Sequence, residues 1–170
     1  MDFKELSSAR YSLRKYDDRQ VEEEKMSIIL EAGRNAPTAH NNQPQHIFVI
    51  CSEKALQKAD ECMGVHFHSP ILLVVAYDKA MAWNRETDGK NHGEIDAAIC
   101  ATQMMLQAAD LGLGTTYVGM FEIDKLYAAF PEMKKYIPIA ILTLGYPQEG
   151  AHPSRLHNDR KPLAELAEYL

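Results

Sequence analysis

No apolar run in this sequence is long enough to cross a bilayer. The longest, PILLVVAY at 70–77, falls far short of the ~20 residues that a helical span requires and reads as a buried strand. Cysteine is scarce: Cys51, Cys62 and Cys100 are widely spaced, with no CxxC. Free thiols in a reducing, cytoplasmic compartment are therefore expected, rather than a disulfide framework. The opening MDFKELSS has no apolar stretch of signal-peptide type. Positive charge is in deficit, 18 Lys and Arg against 24 Asp and Glu, which speaks against nucleic acid or an anionic membrane as the main partner. The strand-GxGxxG-helix of a dinucleotide fold and the GxxxxGK[ST] phosphate loop are both missing.

What is present is the composition of one globular domain spanning 1–170, with 46% hydrophobic and 25% charged residues. A first helix is expected over 3–14, with Phe3, Leu6 and Ala9 on one side. A second, 22–36, carries Met26, Ile29, Leu30 and Gly33 at helical spacing and ends at Pro37. Strands are expected at 46–51, 71–77, 115–119 and 139–146, the second apolar on both faces and so central. Ser52 caps a short helix reaching about 63, and 122–130 and 132–136 read as helical. Residues 78–93 are polar and irregular, a loop or lid. The helix 94–111 has Ile95, Ala98, Ile99, Thr102, Leu106 and Ala109 along one face, with Cys100, Ala101, Met104 and Met105 on the rest. A helix apolar nearly all round is buried on both sides, and in so small a chain another subunit can supply the second. The sum is an α+β domain: four strands with helices on both faces.

Four stretches invite a functional reading, each beside a plainer one. ARYSLRKY (9–16) puts Arg10 and Arg14 on one face of the expected helix with Ser12 between them. That suits a phosphate and a polar ring edge, or it is a solvated cationic face. APTAHNNQPQ (36–45) offers Asn42 and Gln43 as uncharged donor–acceptor groups, or it is a polar connection. LGLGTTYVGMF (111–121) brings Gly112, Gly114 and Gly119 together, suited to backbone approach to a flat ligand. A helix cap and turn explain Gly112 and Gly114 but not Gly119. HPSRLHNDRKP (152–162) gathers Arg155, Arg160 and Lys161, or is a solvated tail. His66 and His68 have no acidic or thiol partner at ligand spacing, so no metal is expected. Cys51 and Cys100 lie in apolar segments and read as core residues.

In order and content these stretches resemble the nitroreductase family from end to end. Arg10-Tyr11-Ser12-Leu13-Arg14 is similar to its RxSxR motif. Ala36-Pro37-Thr38-Ala39-His40-Asn41-Asn42-Gln43-Pro44-Gln45 is similar to AP[ST]AxNxQPW, with Gln45 where Trp is frequent. Ile95-Asp96 through Leu111-Gly112-Leu113-Gly114-Thr115 to Gly119 matches the family's central helix and turn. Gly145-Tyr146-Pro147, with Arg155 following, matches the last strand and tail.

The resemblance implies a nitroreductase-like α+β fold: a central mixed, mainly antiparallel four-stranded sheet flanked by helices, with a C-terminal tail extending onto the partner of a homodimer. It implies FMN sites shared between subunits. Arg10 and Arg155 would contact the phosphate, Ser12 would reach the flavin or ribityl oxygens, Tyr11 would be among the cofactor-binding residues, and Arg14 would lie near the N1/O2 edge of the ring. Pro37, Thr38, Ala39 and Asn42 would come from the partner, and the backbone of Val118 and Gly119 would face N5 and O4. His40 and Phe121 are candidates for the substrate pocket. No side chain is expected to act as acid, base or nucleophile, because the cofactor carries the redox chemistry. The implied activity is ping-pong transfer of hydride from NAD(P)H through FMN to an electron-poor acceptor such as a nitroaromatic or quinone. The chain is similar to compact members that lack a long insertion after the central helix. A flavin-fragmenting or dehalogenating relative, a flavin-binding redox sensor or FMN store, and an unrelated phosphate-binding domain are the competing readings.

Overall fold

The computed structural model describes residues 2–170. Helix α1 (Phe3–Ala9) begins where the Asp2 carboxylate accepts the Glu5 N–H at 2.8 Å. It stops five residues sooner than the sequence pattern suggests, because Arg10 turns to φ −59°, ψ 127° and the chain runs on beside the sheet. The Leu13 N–H donates to the Thr115 carbonyl at 3.0 Å, and Ser12 forms a parallel bridge with Thr115. Leu13 and Tyr16 are buried here. Tyr16 donates its hydroxyl hydrogen to the Leu13 carbonyl at 2.7 Å and also hydrogen-bonds the Thr143 hydroxyl. Tertiary pairing has overridden helix propensity.

Strands β1 (Gln45–Ile50), β2 (Ile71–Tyr77), β3 (Gly114–Val118) and β4 (Ile137–Gly145) form one sheet in the order β1-β2-β4-β3. All three ladders are antiparallel; the Ser12–Thr115 bridge is the parallel contribution. β2 is buried along its whole length, as its two-sided apolarity requires. Its side chains alternate between two cores. Leu73 and Val75, with Leu142 and Leu144 of β4, meet α2 (Glu23–Arg34) and α4 (Gly93–Asp110). Leu72 and Val74, with Ile141, meet α3 (Glu53–Asp60) and α5 (Ile123–Ala129). Helices therefore cover both faces, as expected.

α4 is apolar on both sides, as its sequence indicates, and the structure shows which side meets the core. Ala97, Cys100, Ala101, Met104 and Ala108 face the core, whereas Ile95, at 39% exposure, and Thr102 are exposed, and Ala98, Ile99, Leu106 and Ala109 are partly buried, Ile99 packing against the margin of the core. The small Ala97, Cys100, Ala101 and Ala108 let α4 approach α2 and the sheet closely, and Met104 fills the space beside Gly33 of α2. Burial pushes the Cys100 thiol up to about 11. Cys51 is exposed, not core, because it follows the last residue of edge strand β1. The loop 78–93 is a folded, cross-braced segment: Arg85 pairs with Asp88, Asn91 donates to Asn84 at 3.0 Å, and the His92 N–H donates to Trp83 at 2.9 Å. The first part of the tail returns to its own chain, where the His157 Nε2–H donates to the Ser8 carbonyl at 3.0 Å. Beyond the short helix α6 (Leu163–Leu166), Tyr169 is fully exposed.

Candidate functional site

In an extended run, alternate residues share a side. The loss of the expected helix therefore keeps Arg10, Ser12 and Arg14 together at i, i+2, i+4 instead of at helical spacing. With Tyr11 they form one wall of a cleft of about 160 Å³, and Ser154, Leu156, His157 and Arg160 of the returning tail form the other. Burial first, and the Arg160 charge second, hold the Arg10 guanidinium below its ordinary range. Among the described residues neither arginine is in an ion pair with a carboxylate. Arg14 donates to the Ser12 carbonyl at 3.3 Å, and Arg160 to the carbonyls of Leu156 and Asp159 at 3.3 and 2.9 Å. Two like charges share this cleft without a carboxylate counter-charge, an arrangement that an anion would neutralise. Arg155 lies exposed in the tail turn, outside the lining of this cleft.

The cationic strand is held from below by a buried hydroxyl network. Besides the bonds of Tyr16, the Thr116 hydroxyl donates to the Leu13 carbonyl, and the Thr143 hydroxyl accepts the Thr116 N–H at 2.9 Å. Gly114 makes room for this contact: a Cβ there would sit 2.3 Å from Leu13 Cδ2. Gly112, at φ +76°, follows the end of α4 in the left-handed conformation that glycine tolerates. Just beyond β3, a Cβ on Gly119 would meet nothing of this chain. Its glycine is not demanded by the chain's own packing and leaves the backbone approachable from outside. Val118 is buried beside it. Phe121 packs partly buried against the α3/α5 core, in an antiparallel bridge with Met63.

Pro37–Asn42 do not line the cationic cleft. They form a separate wall with strained backbone: His40, Asn41 and Gln43 have φ of 55°, 56° and 51°, a conformation costing on the order of 1–3 kcal/mol per residue. Three contacts secure it. The Ala39 N–H donates to Asp96 Oδ1 at 3.0 Å, Asn42 donates to the Met81 carbonyl at 3.0 Å, and the Gln43 N–H donates to the Thr38 hydroxyl at 3.1 Å. The His40 ring stacks on Trp83, centroids 4.9 Å apart. His66 does have an acidic neighbour, Asp60 at 3.0 Å, brought there by the turn after α3. Among the described residues no three His, Cys, Asp or Glu side chains gather as for a metal ion. Nor is any helix long and apolar enough to cross a membrane.

Sequence reasoning missed Ser154, His157 and the inward role of Arg160. Arg155 and Arg160 are alike in sequence, and only the tail turn distinguishes them. It named Asp96 within the central-helix motif but gave it no role.

The nitroreductase family model matches residues 8–67 and 61–146, and the chain belongs to the nitroreductase family. The crystal structure of a nitroreductase family protein from Clostridium difficile 630 superposes with a TM-score of 0.92 at 38% identity, covering 99% of this chain and 98% of that one. A protein of the same fold from Exiguobacterium sibiricum, solved in complex with FMN, gives a TM-score of 0.86 at 23% identity over 100% and 98% of the two chains. A Methanothermobacter thermautotrophicus relative, carrying an NADH dehydrogenase/NAD(P)H nitroreductase name, is 28% identical over 94% of this chain and 88% of its own.

Proposed function

We propose that the protein is an FMN-dependent NAD(P)H oxidoreductase working as a homodimer in the cytoplasm. The observation that carries this reading is the cleft in which Arg10 and Arg160 converge without a counter-charge, since a monoester phosphate supplies the missing charge and the acceptor oxygens. Bound FMN would supply the two-electron exchange, by ping-pong, between NAD(P)H and an electron-poor acceptor such as a nitroaromatic or quinone.

The chain's own residues orient and bias that chemistry. Arg10 and Arg160 hold the phosphate, with the hydroxyls of Ser12 and Ser154 in reach of its oxygens and Tyr11 closing one side. Arg155 stands at the rim and adds long-range attraction. Arg14, four residues along the same extended run, presents a fixed positive charge to the polar edge of the ring, where reduction accumulates negative charge. The backbone at Val118 and Gly119 approaches the ring because no side chain intervenes at Gly119. Pro37, Thr38, Ala39 and Asn42 close the opposite face from a second copy, with His40 at the entrance for substrate. The outward stripe of α4, Ile95, Ile99 and Leu106, is the surface on which two copies meet, and the exposed Leu163, Leu166 and Tyr169 extend the tail onto the partner. The protein is tested by its visible spectrum and by anaerobic addition of NADPH or NADH. A yellow protein that bleaches supports the reading, and one that takes up no FMN ends it.

A further inference from the structure

We propose that Asp96 is a positioning residue: it holds the Pro37–Asn42 wall in the shape that the flavin slot requires. This rests on the reading of that segment as a wall of the slot. Asp96 is 2% exposed, on the inner side of the first turn of α4. Its Oδ1 accepts the Ala39 N–H at 3.0 Å, and its Oδ2 is buried without a hydrogen-bond partner. A buried oxygen without a partner is costly, so the presence of a carboxylate here points to a role for the oxygen that is bonded. That role is visible. Immediately after Ala39 come the three left-handed residues His40, Asn41 and Gln43, none a glycine, so the segment does not hold this conformation by preference. The bond is made deep in the first turn of α4, where water cannot compete for the Ala39 N–H. Asp96 thus fixes the segment at Ala39, while Asn42 bonded to Met81 and His40 stacked on Trp83 secure it farther along.

Trp83 is the only tryptophan in the chain, and its stack with His40 makes its emission a reporter of the wall. The test compares the full-length wild type, Asp96→Ala and Asp96→Asn, each with and without added FMN. In flavin-free Asp96→Ala the amides of 39–43 should exchange at least ten-fold faster and Trp83 emission should shift, while the amides of β2 and β4 keep their protection. Asp96→Asn retains the acceptor oxygen and should recover most of both signals. With FMN loaded, the visible circular dichroism of the flavin should weaken in Asp96→Ala and return in Asp96→Asn. Unchanged exchange and emission in Asp96→Ala would overturn the proposal even if the wild type is an active flavoenzyme. Should Asp96→Ala not fold, Asp96→Leu, which keeps a branched side chain but has no acceptor oxygen, replaces it: faster exchange confined to 39–43 supports the role, and unchanged exchange refutes it. A wild type that binds no FMN refutes the functional reading and leaves the flavin-free measurements standing on their own.

Discussion

Replacing Arg160 by alanine separates a functional cleft from a decorative one, because the two states of the protein should respond in opposite senses. Without an anion, Arg160 pushes on the half-buried Arg10 and lowers its affinity for a proton. Arg160→Ala relieves that repulsion, so the melting temperature of the flavin-free protein should hold or rise. With FMN bound, the same change removes a charge-assisted contact to phosphate worth roughly 1.5–3 kcal/mol. That energy corresponds to a loss of roughly ten- to hundred-fold in affinity. Quenching of FMN fluorescence during titration gives the dissociation constant directly. Repeating it at higher salt should weaken the wild type more than the variant, because one attractive charge has gone. The reasoning fails if Arg160→Ala binds FMN as tightly as wild type. If Arg155→Ala is then the weakened variant, the phosphate lies toward the other side of the tail turn.

Three further outcomes follow from the same geometry. Burial pushes the Tyr16 hydroxyl up to about 12, against an ordinary value near 10. Its contribution is complete below pH 10 and lost as pH rises toward 12, worth on the order of 2–3 kcal/mol; Tyr16→Phe should flatten that alkaline fall in denaturant-melting curves while loosening FMN. Leu106→Arg on the outward stripe of α4 should yield a monomer by analytical ultracentrifugation that no longer retains flavin, and a tight-binding monomer would refute the shared site. Under native conditions one thiol, Cys51, should react quickly with a chromogenic disulfide, because Cys62 and Cys100 are buried.

Strand and helix identities were legible because burial imposes a period. β2 had to be central since both its faces are apolar, and α2 showed its inner face at Met26, Ile29 and Leu30. The errors arise where two environments are equally apolar or where a partner decides. Both sides of α4 are hydrophobic, so polarity does not say which one meets the sheet; the inner side is that of Ala97, Cys100, Ala101 and Met104. The cationic motif was legible as a group and misread in conformation: Arg10 and Arg14 fit a helix face, but hydrogen bonding of Leu13 to the distant Thr115 draws them into an extended run. Gly114 records that pairing in advance, since its missing Cβ is the space Leu13 fills, yet nothing local to Gly114 says so.

The positions of the two walls also constrain the assembly. The cationic cleft stands at the outer side of β3, whereas the Pro37–Asn42 wall is tied to the first turn of α4 and to the loop 78–93. No residue of one lines the other in a single protomer. In the proposed shared site one wall comes from a second copy, and the two copies meet on the outward side of α4. Asp96 on the inner side of that helix and Ile95 and Ile99 on the outer side then join flavin geometry to subunit contact through one rigid element. Under this arrangement, FMN retention and dimer stability rise and fall together, and diluting the holoprotein below its dimer dissociation constant should release flavin in step with monomer formation.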